Sequence, residues 1–304
     1  MAIQYAGGTN VNTTFTNTTG TRREIVDGLV AALTTAGWTV VSGSGTGDVK
    51  MKTALTPQGN QAVVRIYDPG SGNCAQLILF NVGLNLSQST ACYLLPTVGK
   101  VWRVIANRYQ FMIFVQGSIV PREFAMMSCI YIPPFLTASI QTAAFLMGNA
   151  RSDGDTGFGY SSGPNGCLLR NMLGPSDGNT NYQMNMACLL NNFMWSLNNV
   201  ADGNGYAGGA PQLFCPHSLT RSGGQFLQSV YRYHDGSLHI SDPLVAWGST
   251  YMYDEPTIKG QLWDIAILHD QFQMDQTFSF DSRTFWCLTQ SNPISRHSAL
   301  VYIP

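Results

Sequence analysis

Apolar residues Ile25, Val26, Leu29, Val30 and Leu33 recur at spacings of three and four within residues 21–37, so one stripe of a helix there is apolar and the rest polar. Thr21-Arg-Arg-Glu24 in front of the stripe is a capping box: the Thr hydroxyl accepts from an early helical N–H, and Glu24 reaches back to the N–H of the cap. Gly37 stands where a left-handed residue closes a helix, and Trp38 is placed to pack back beneath it. The pattern predicts one N-terminal amphipathic helix, about 21–37.

Beyond Trp38 the pattern changes to short apolar runs bounded by Pro, Gly, Asn or Asp, which is how strands and their turns read. Lys50 to Leu55, Ala62 to Tyr67, Ala75 to Val82, Lys100 to Ala106, Gln110 to Val115 and Met126 to Ile132 form a first series. A second comprises Leu227 to Tyr233, Leu238 to Ile240, Leu244 to Trp247, Thr250 to Tyr253, Leu262 to Leu268, Thr277 to Phe280, Phe285 to Thr289 and Ala299 to Ile303. Asp68 to Asn73 is a hairpin loop. Ser42 to Gly47 is Gly-rich, but it lacks the Gly-Lys-Ser/Thr ending of a phosphate loop and is read as a hairpin turn. Phe135 to Met147 is a short-helix candidate, with Ile140, Ala144 and Met147 on one side, and Met184 to Trp195 is apolar enough to be buried as strand or helix. Residues 1–20 are polar, and read either as a surface leader or as an arm docked on a neighbouring subunit.

Strands in close succession argue for antiparallel pairing rather than βαβ units. The expected class is mainly β (α+β), with antiparallel sheets in a sandwich-like arrangement. Internal similarity suggests two related β units. Pro96-Thr97-Val98 and Val101-Trp102-Arg103-Val104 have counterparts in Pro256-Thr257-Ile258 and Leu262-Trp263-Asp264-Ile265. Phe111 to Gln116 matches Phe285 to Gln290, Arg122 matches Arg296, and Tyr131-Ile132-Pro133 matches Tyr302-Ile303-Pro304. Matches in a shared order suggest a duplication. The expected organisation is 1–147 for the helix and first β unit, 148–225 for a loop-rich elaboration in Asn, Gly and Asp, and 226–304 for the second β unit.

Composition sharpens this picture. Charged residues make up 11% of the chain, against about a quarter in typical domains. With 44% hydrophobic residues the chain is not disordered in composition. Low charge with many Tyr, Phe, Trp and Met suits a loop-rich β protein with much of its surface against other subunits, or equally a plain β core. The net charge of −1 gives no bulk attraction to nucleic acid or an anionic membrane, and neither is expected as a partner. The Cys count, 7, is odd and no Cys-x-x-Cys occurs, so neither a disulfide framework nor a zinc ribbon is suggested. The first residues show no basic and apolar signal-peptide pattern, and no apolar run reaches the roughly 18 residues of a membrane span.

Candidate chemistry is sparse. His234 and His239 flank a tight hairpin and could meet across it, but no carboxylate stands near in a ligand pattern, so no metal is expected. Asp153-Gly-Asp155-Thr-Gly157 starts like a calcium loop, but Phe158 and Pro164 fall where Gly and Glu are required. Asp254-Glu255 would face opposite sides of a strand, and Asp264, Asp270, Asp275 and Asp281 are scattered. No nucleophile motif is present. No catalytic or cofactor-binding residue is assigned, and no enzyme activity is expected. Tyr231, Tyr233, Trp247, Tyr251 and Tyr253 are candidates for glycan or subunit contact, since Tyr231/Tyr233 and Tyr251/Tyr253 share a face at period two.

Met1-Ala-Ile-Gln-Tyr-Ala-Gly-Gly-Thr9, the Thr21-Arg-Arg-Glu24 helix with Ala36-Gly37-Trp38-Thr39, and Asn107-Arg-Tyr-Gln-Phe111 resemble virion structural proteins of tailed bacteriophages. Gly260-Gln-Leu-Trp-Asp264 and Trp286-Cys-Leu-Thr289 belong to the same resemblance, which weakens through residues 150–225. It implies synthesis in the cytoplasm of an infected bacterium, residence in the virion, and assembly with copies of itself and other virion proteins. A tail, baseplate or adsorption role is expected first. A neck, collar or capsid-decorating protein and a module binding a host-surface glycan are the alternatives.

Overall fold

The computed structural model describes residues 7–72, 74–80, 91–116, 124–131, 143–149, 184–190, 193–197, 211–214, 232–234, 238–241, 244–247, 257–268, 277–280, 282–287 and 298–303. The chain opens with β1 (Val11–Thr16) and α1 (Arg22–Thr35), followed by β2 (Thr39–Ser42), β3 (Asp48–Lys52), β4 (Val63–Tyr67), β5 (Ala75–Phe80) and β6 (Ala91–Leu94). Then come β7 (Val101–Ala106), β8 (Gln110–Val115), β9 (Phe124–Cys129), β10 (Ala143–Asn149), β11 (Met184–Leu190) and β12 (Phe193–Leu197). The last strands are β13 (Pro211–Phe214), β14 (Arg232–His234), β15 (Leu238–Ser241), β16 (Leu244–Trp247), β17 (Thr257–Gln261), β18 (Ile265–Leu268), β19 (Thr277–Phe280), β20 (Arg283–Cys287) and β21 (Ser298–Ile303).

α1 forms where its local signals place it. Thr21 is extended and its hydroxyl accepts the Glu24 N–H at 3.4 Å. Glu24 in turn receives the N–H groups of Thr18 at 3.2 Å and Thr19 at 3.0 Å, so it ties down the turn between β1 and the helix. At the other end Gly37 has φ +94°, its N–H bonds Thr34 O and the Trp38 N–H bonds Leu33 O, both at 3.0 Å. That is a Schellman closure, and it needs a residue that tolerates positive φ. Ile25, Val26, Leu29, Ala32 and Leu33 are buried. Each large aliphatic side chain gains about 1.5–3 kcal/mol on burial against about 1 kcal/mol for a cap, so packing rather than capping holds the helix. Among the described residues no helix is long and apolar enough to cross a membrane.

The sheets are antiparallel and the class is mainly β. One sheet runs β2-β3-β4-β5-β6, and a second runs β1-β7-β8-β9-β10-β11-β12. Val49, Met51, Val64, Ile66, Leu77 and Leu94 of the first share one core with Val104, Phe111, Ile113, Met127 and Leu146 of the second, and the apolar face of α1 joins them. The period of two puts alternate residues of β7 and β8 on the opposite face of the second sheet. There Phe114 stacks on Trp286 of β20 at 5.3 Å, and the Arg103 guanidinium lies 4.4 Å over the same indole. Trp286 belongs to a third sheet, β14-β15-β18-β21-β20-β19, and a small fourth sheet runs β13-β16-β17.

Gly28 lies on the side of α1 that meets β1. A Cβ there would stand 2.7 Å from ring atoms of Phe15. Alanine gains about 1 kcal/mol in helix propensity, but overpacking costs about 1–3 kcal/mol. Gly28→Ala is therefore expected to lower the urea midpoint, and a raised midpoint would show that the Phe15 ring moves aside freely.

Two expectations change and one open alternative, strand or helix over Met184 to Trp195, is decided. Ala143–Asn149 is strand β10, not the end of a helix: Ala144, Leu146 and Gly148 are buried alternately, and the strand is laddered on both sides, to β9 and β11. The apolar Met184 to Trp195 segment contributes two paired strands, β11 and β12, to the same sheet. The two stretches with matching residues do not share a strand order. β7, β8 and β9 are successive neighbours, whereas β18 pairs with β21 and β21 with β20. Trp102 sits within β7 while Trp263 lies between β17 and β18. Short runs of apolar and aromatic residues bounded by Pro are how strands read in general, and the matches mark that shared composition rather than a shared topology.

Candidate functional site

The most elaborate polar constellation among the described side chains joins segments distant in sequence. Its first part is the hairpin between β7 and β8. The Asn107 side-chain oxygen accepts the N–H groups of Tyr109 at 2.7 Å and Gln110 at 2.8 Å, an Asn-built turn of the kind that closes short hairpins. With that oxygen occupied, the Asn107 amide nitrogen donates outward, to Asp264 at 2.9 Å. The Asn107 carbonyl accepts the indole N–H of Trp38 at 2.8 Å, which fixes the end of α1 to the same turn.

The second part is Leu262-Trp263-Asp264, between β17 and β18, where all three residues are buried. Asp264 has φ +52°, a left-handed conformation that Asp tolerates better than most residues. Its carbonyl accepts the Tyr302 N–H at 3.0 Å. The Trp263 carbonyl accepts from the Gln110 side chain at 2.8 Å, and its indole N–H donates to the Cys129 carbonyl. The indole also packs 4.5 Å from the Tyr109 ring and 5.2 Å from that of Tyr131.

The third part is the segment before β1. The Gly7 N–H reaches one oxygen of Asp264 at 2.8 Å, and the N–H and hydroxyl of Thr9 reach the other at 2.9 and 2.8 Å. Asp264 is 0% exposed. Both of its oxygens act only as acceptors, from two backbone amides, a hydroxyl and a side-chain amide. A buried polar group is tolerated where donors satisfy it in this way. Asp264 presents no atom to solvent and none to a substrate, so its chemistry is to hold three chain segments together. Gly7 is required by the close approach, since a Cβ there would lie 2.4 Å from the Asn107 amide nitrogen. Residues 1–20 are read from the sequence as a surface leader or as an arm on a neighbouring subunit; the described part, from Gly7, docks on its own chain, which neither reading anticipates.

Cys129 lies beneath the junction and is 0% exposed. Burial pushes its thiol up to about 12, with a hydrogen bond to Thr53 opposing in part. A raised pKa leaves almost no thiolate at neutral or mildly alkaline pH, and thiolate is the reactive form. Native Cys129 is therefore expected to resist iodoacetamide as read by peptide mass spectrometry, and to react once the protein is unfolded. Rapid native labelling would mean that the junction opens.

Two of the residues proposed for glycan or subunit contact, Tyr233 and Trp247, are among those described. Tyr233 is in β14 of the third sheet and Trp247 in β16 of the fourth, while Tyr231, Tyr251 and Tyr253 lie outside the described residues. His239 is opposite Tyr233 and His234 opposite Leu238, so the two histidines are not cross-strand partners. Among the described residues no three His, Cys, Asp or Glu come together. Asp153, Asp155, Asp254, Glu255, Asp270, Asp275 and Asp281 are outside the described residues. In the sequence Asp264 is one of several scattered carboxylates, and nothing local marks it as a junction. No protein-family model matches the chain, and no curated protein sequence matches it.

Proposed function

We propose that this chain is a non-enzymatic structural component of a tailed-phage virion, in the tail, baseplate or adsorption apparatus, and that it acts by assembling with copies of itself. The observation that carries the reading is convergence. The stretches that resemble virion proteins, around Gly7 and Thr9, Trp38, Asn107 to Phe111 and Trp263-Asp264, meet in one buried junction. Residues spent on holding an arm, a helix end and a third layer in fixed register suit a particle subunit, which must keep its shape under load. Low charge suits surfaces that face other subunits.

The test is localisation. Antibody raised against the purified chain should decorate the tail or baseplate of particles from a phage carrying its gene, and light scattering should give a discrete oligomer. Label confined to heads moves the protein to another layer. A strict monomer absent from purified particles refutes the proposal.

A further inference from the structure

β1 stands at one edge of the seven-stranded sheet, with β7 on its inner side. The Asn17 N–H donates to the Lys100 carbonyl at 2.9 Å, and this pair continues the register of β1 on β7. On the far side of β7 the Gln116 N–H donates to the Val101 carbonyl at 2.8 Å, so Val101, Arg103 and Ile105 bond β8 and their alternates bond β1. Antiparallel ladders alternate in this way. Val11, Thr13 and Phe15 therefore direct their backbone groups to Ala106, Val104 and Trp102, whereas Asn12, Thr14 and Thr16 turn their N–H and C=O groups away from the sheet. Asn12, Thr13, Thr14 and Thr16 are exposed, so this edge is open.

Sheets blunt open edges with Pro, Lys, bulges or a covering segment. β1 has none of these. Its sequence is Val-Asn-Thr-Thr-Phe-Thr, and its pairing runs from Val11 to Thr16 without a register shift. The five-stranded sheet shows the contrast. Its edge strand β2 carries a register shift between Val40 and Ser42, and its opposite edge β6 lies against β9, β10 and β11. An uncharged edge rich in β-branched residues is suited to pairing with a further strand.

We propose that β1 pairs with β1 of a second copy of this chain, antiparallel across a twofold axis at Thr14. In that register Thr14 faces Thr14 and Asn12 faces Thr16, so each outward N–H meets an outward C=O and each facing pair exchanges both bonds. No charge opposes its own image, and Thr against Thr is a favourable cross-strand pair. A foreign strand is disfavoured, because added strands are selected through pockets for their alternate side chains. Here the flanking side chains are already engaged: Arg103 Nε holds the Asn12 side-chain oxygen at 2.9 Å, and the Phe15 ring packs against Gly28. A twofold contact closes on itself and leaves other surfaces for other neighbours. The inference rests on the reading that copies of this chain assemble, and it names the surface through which they do.

Sedimentation velocity over a concentration series tests it, with amide exchange read by NMR at the two ends of the series. The parent should form dimers, or larger species of even copy number, and the amides of Asn12, Thr14 and Thr16 should gain protection as it does. Thr14→Lys and Thr14→Glu each set like charges face to face on an exposed site. Each should weaken self-association by about tenfold at low salt, with thermal melts matching the parent. An equal mixture of the two should recover the association, because Lys faces Glu only if Thr14 meets Thr14 across the axis. A chain monomeric at all concentrations overturns the proposal, and so does an oligomer whose β1 amides stay unprotected. Indifference to both substitutions overturns it too, as does a mixture no stronger than either variant alone. Pairing through β1 in a chain missing from particles would sink the virion reading and leave this contact standing; a chain in particles with β1 unprotected would do the reverse.

Discussion

Replacing Asp264 with alanine is expected to destabilise the protein by about 3–5 kcal/mol, less than the sum of about 1–3 kcal/mol for each buried donor left without its acceptor. The variant removes the shared acceptor of Gly7, Thr9 and Asn107. The losses do not simply add. The arm at Gly7 and Thr9 can leave its groove and bond water. Asn107 cannot, because its oxygen closes the β7–β8 turn through Tyr109 and Gln110. The penalty therefore concentrates on the turn, and the arm should become the first site of proteolytic cleavage.

Asp264→Asn separates shape from charge. Asn also tolerates the left-handed backbone, so the loop survives. Its oxygen can satisfy Thr9 and Asn107, but its amide nitrogen then faces the Gly7 N–H, donor against donor. Its loss should be smaller than that of alanine and confined to the arm. Urea unfolding with hydrogen exchange at residues 7–9 checks both variants. If Asp264→Ala stays within about 1 kcal/mol of the parent, below the loss for even one buried donor, the carboxylate does not hold the arm.

The helix was legible because all of its information is local: cap, stripe, Gly37 and the returning Trp38 lie within a few turns of one another. Strands with sharp turn residues at their ends were legible too, and Gln110–Val115, Leu244–Trp247 and Thr277–Phe280 fall where the pattern places them. The Ser42 to Gly47 turn joins the paired strands β2 and β3, as a hairpin turn should. β10 was misread because its alanines carry little periodic contrast, and the ladders to β9 and β11 decide its state. Asp264 was not legible as a junction, because its partners stand 257, 255 and 157 residues away and no local rule connects them. The open edge of β1 was hidden for a related reason. Which of its backbone groups stay unpaired is set by its register against β7, not by its own residues.

Trp263→Ala should produce a comparable loss by a different route, again about 3–5 kcal/mol, the usual result of emptying a buried Trp site. Trp263 is 2% exposed and belongs to the main core, although the loop that carries it leads into the third sheet. Deleting the indole leaves a space bounded by Tyr109 and Tyr131, and leaves the Cys129 carbonyl only the long 3.5 Å contact from the Ser128 hydroxyl as a side-chain donor. Trp263→Phe distinguishes the two contributions. It keeps much of the ring volume and loses the N–H, so its cost should approach the roughly 1–3 kcal/mol of one buried unpaired group. Equal losses in the two variants would make the hydrogen bond, not the packing, the anchor. The same variants bear on cooperativity. Trp263 and Asp264 link the third sheet to the body formed by the first two, so the parent should melt in one step. Trp263→Ala should melt in two, with β18, β20 and β21 released first and Cys129 becoming reactive to iodoacetamide in that first step. A single transition at lowered temperature, with Cys129 protected until the end, would mean that Trp286 against Phe114 and Arg103 suffices to hold the layers together.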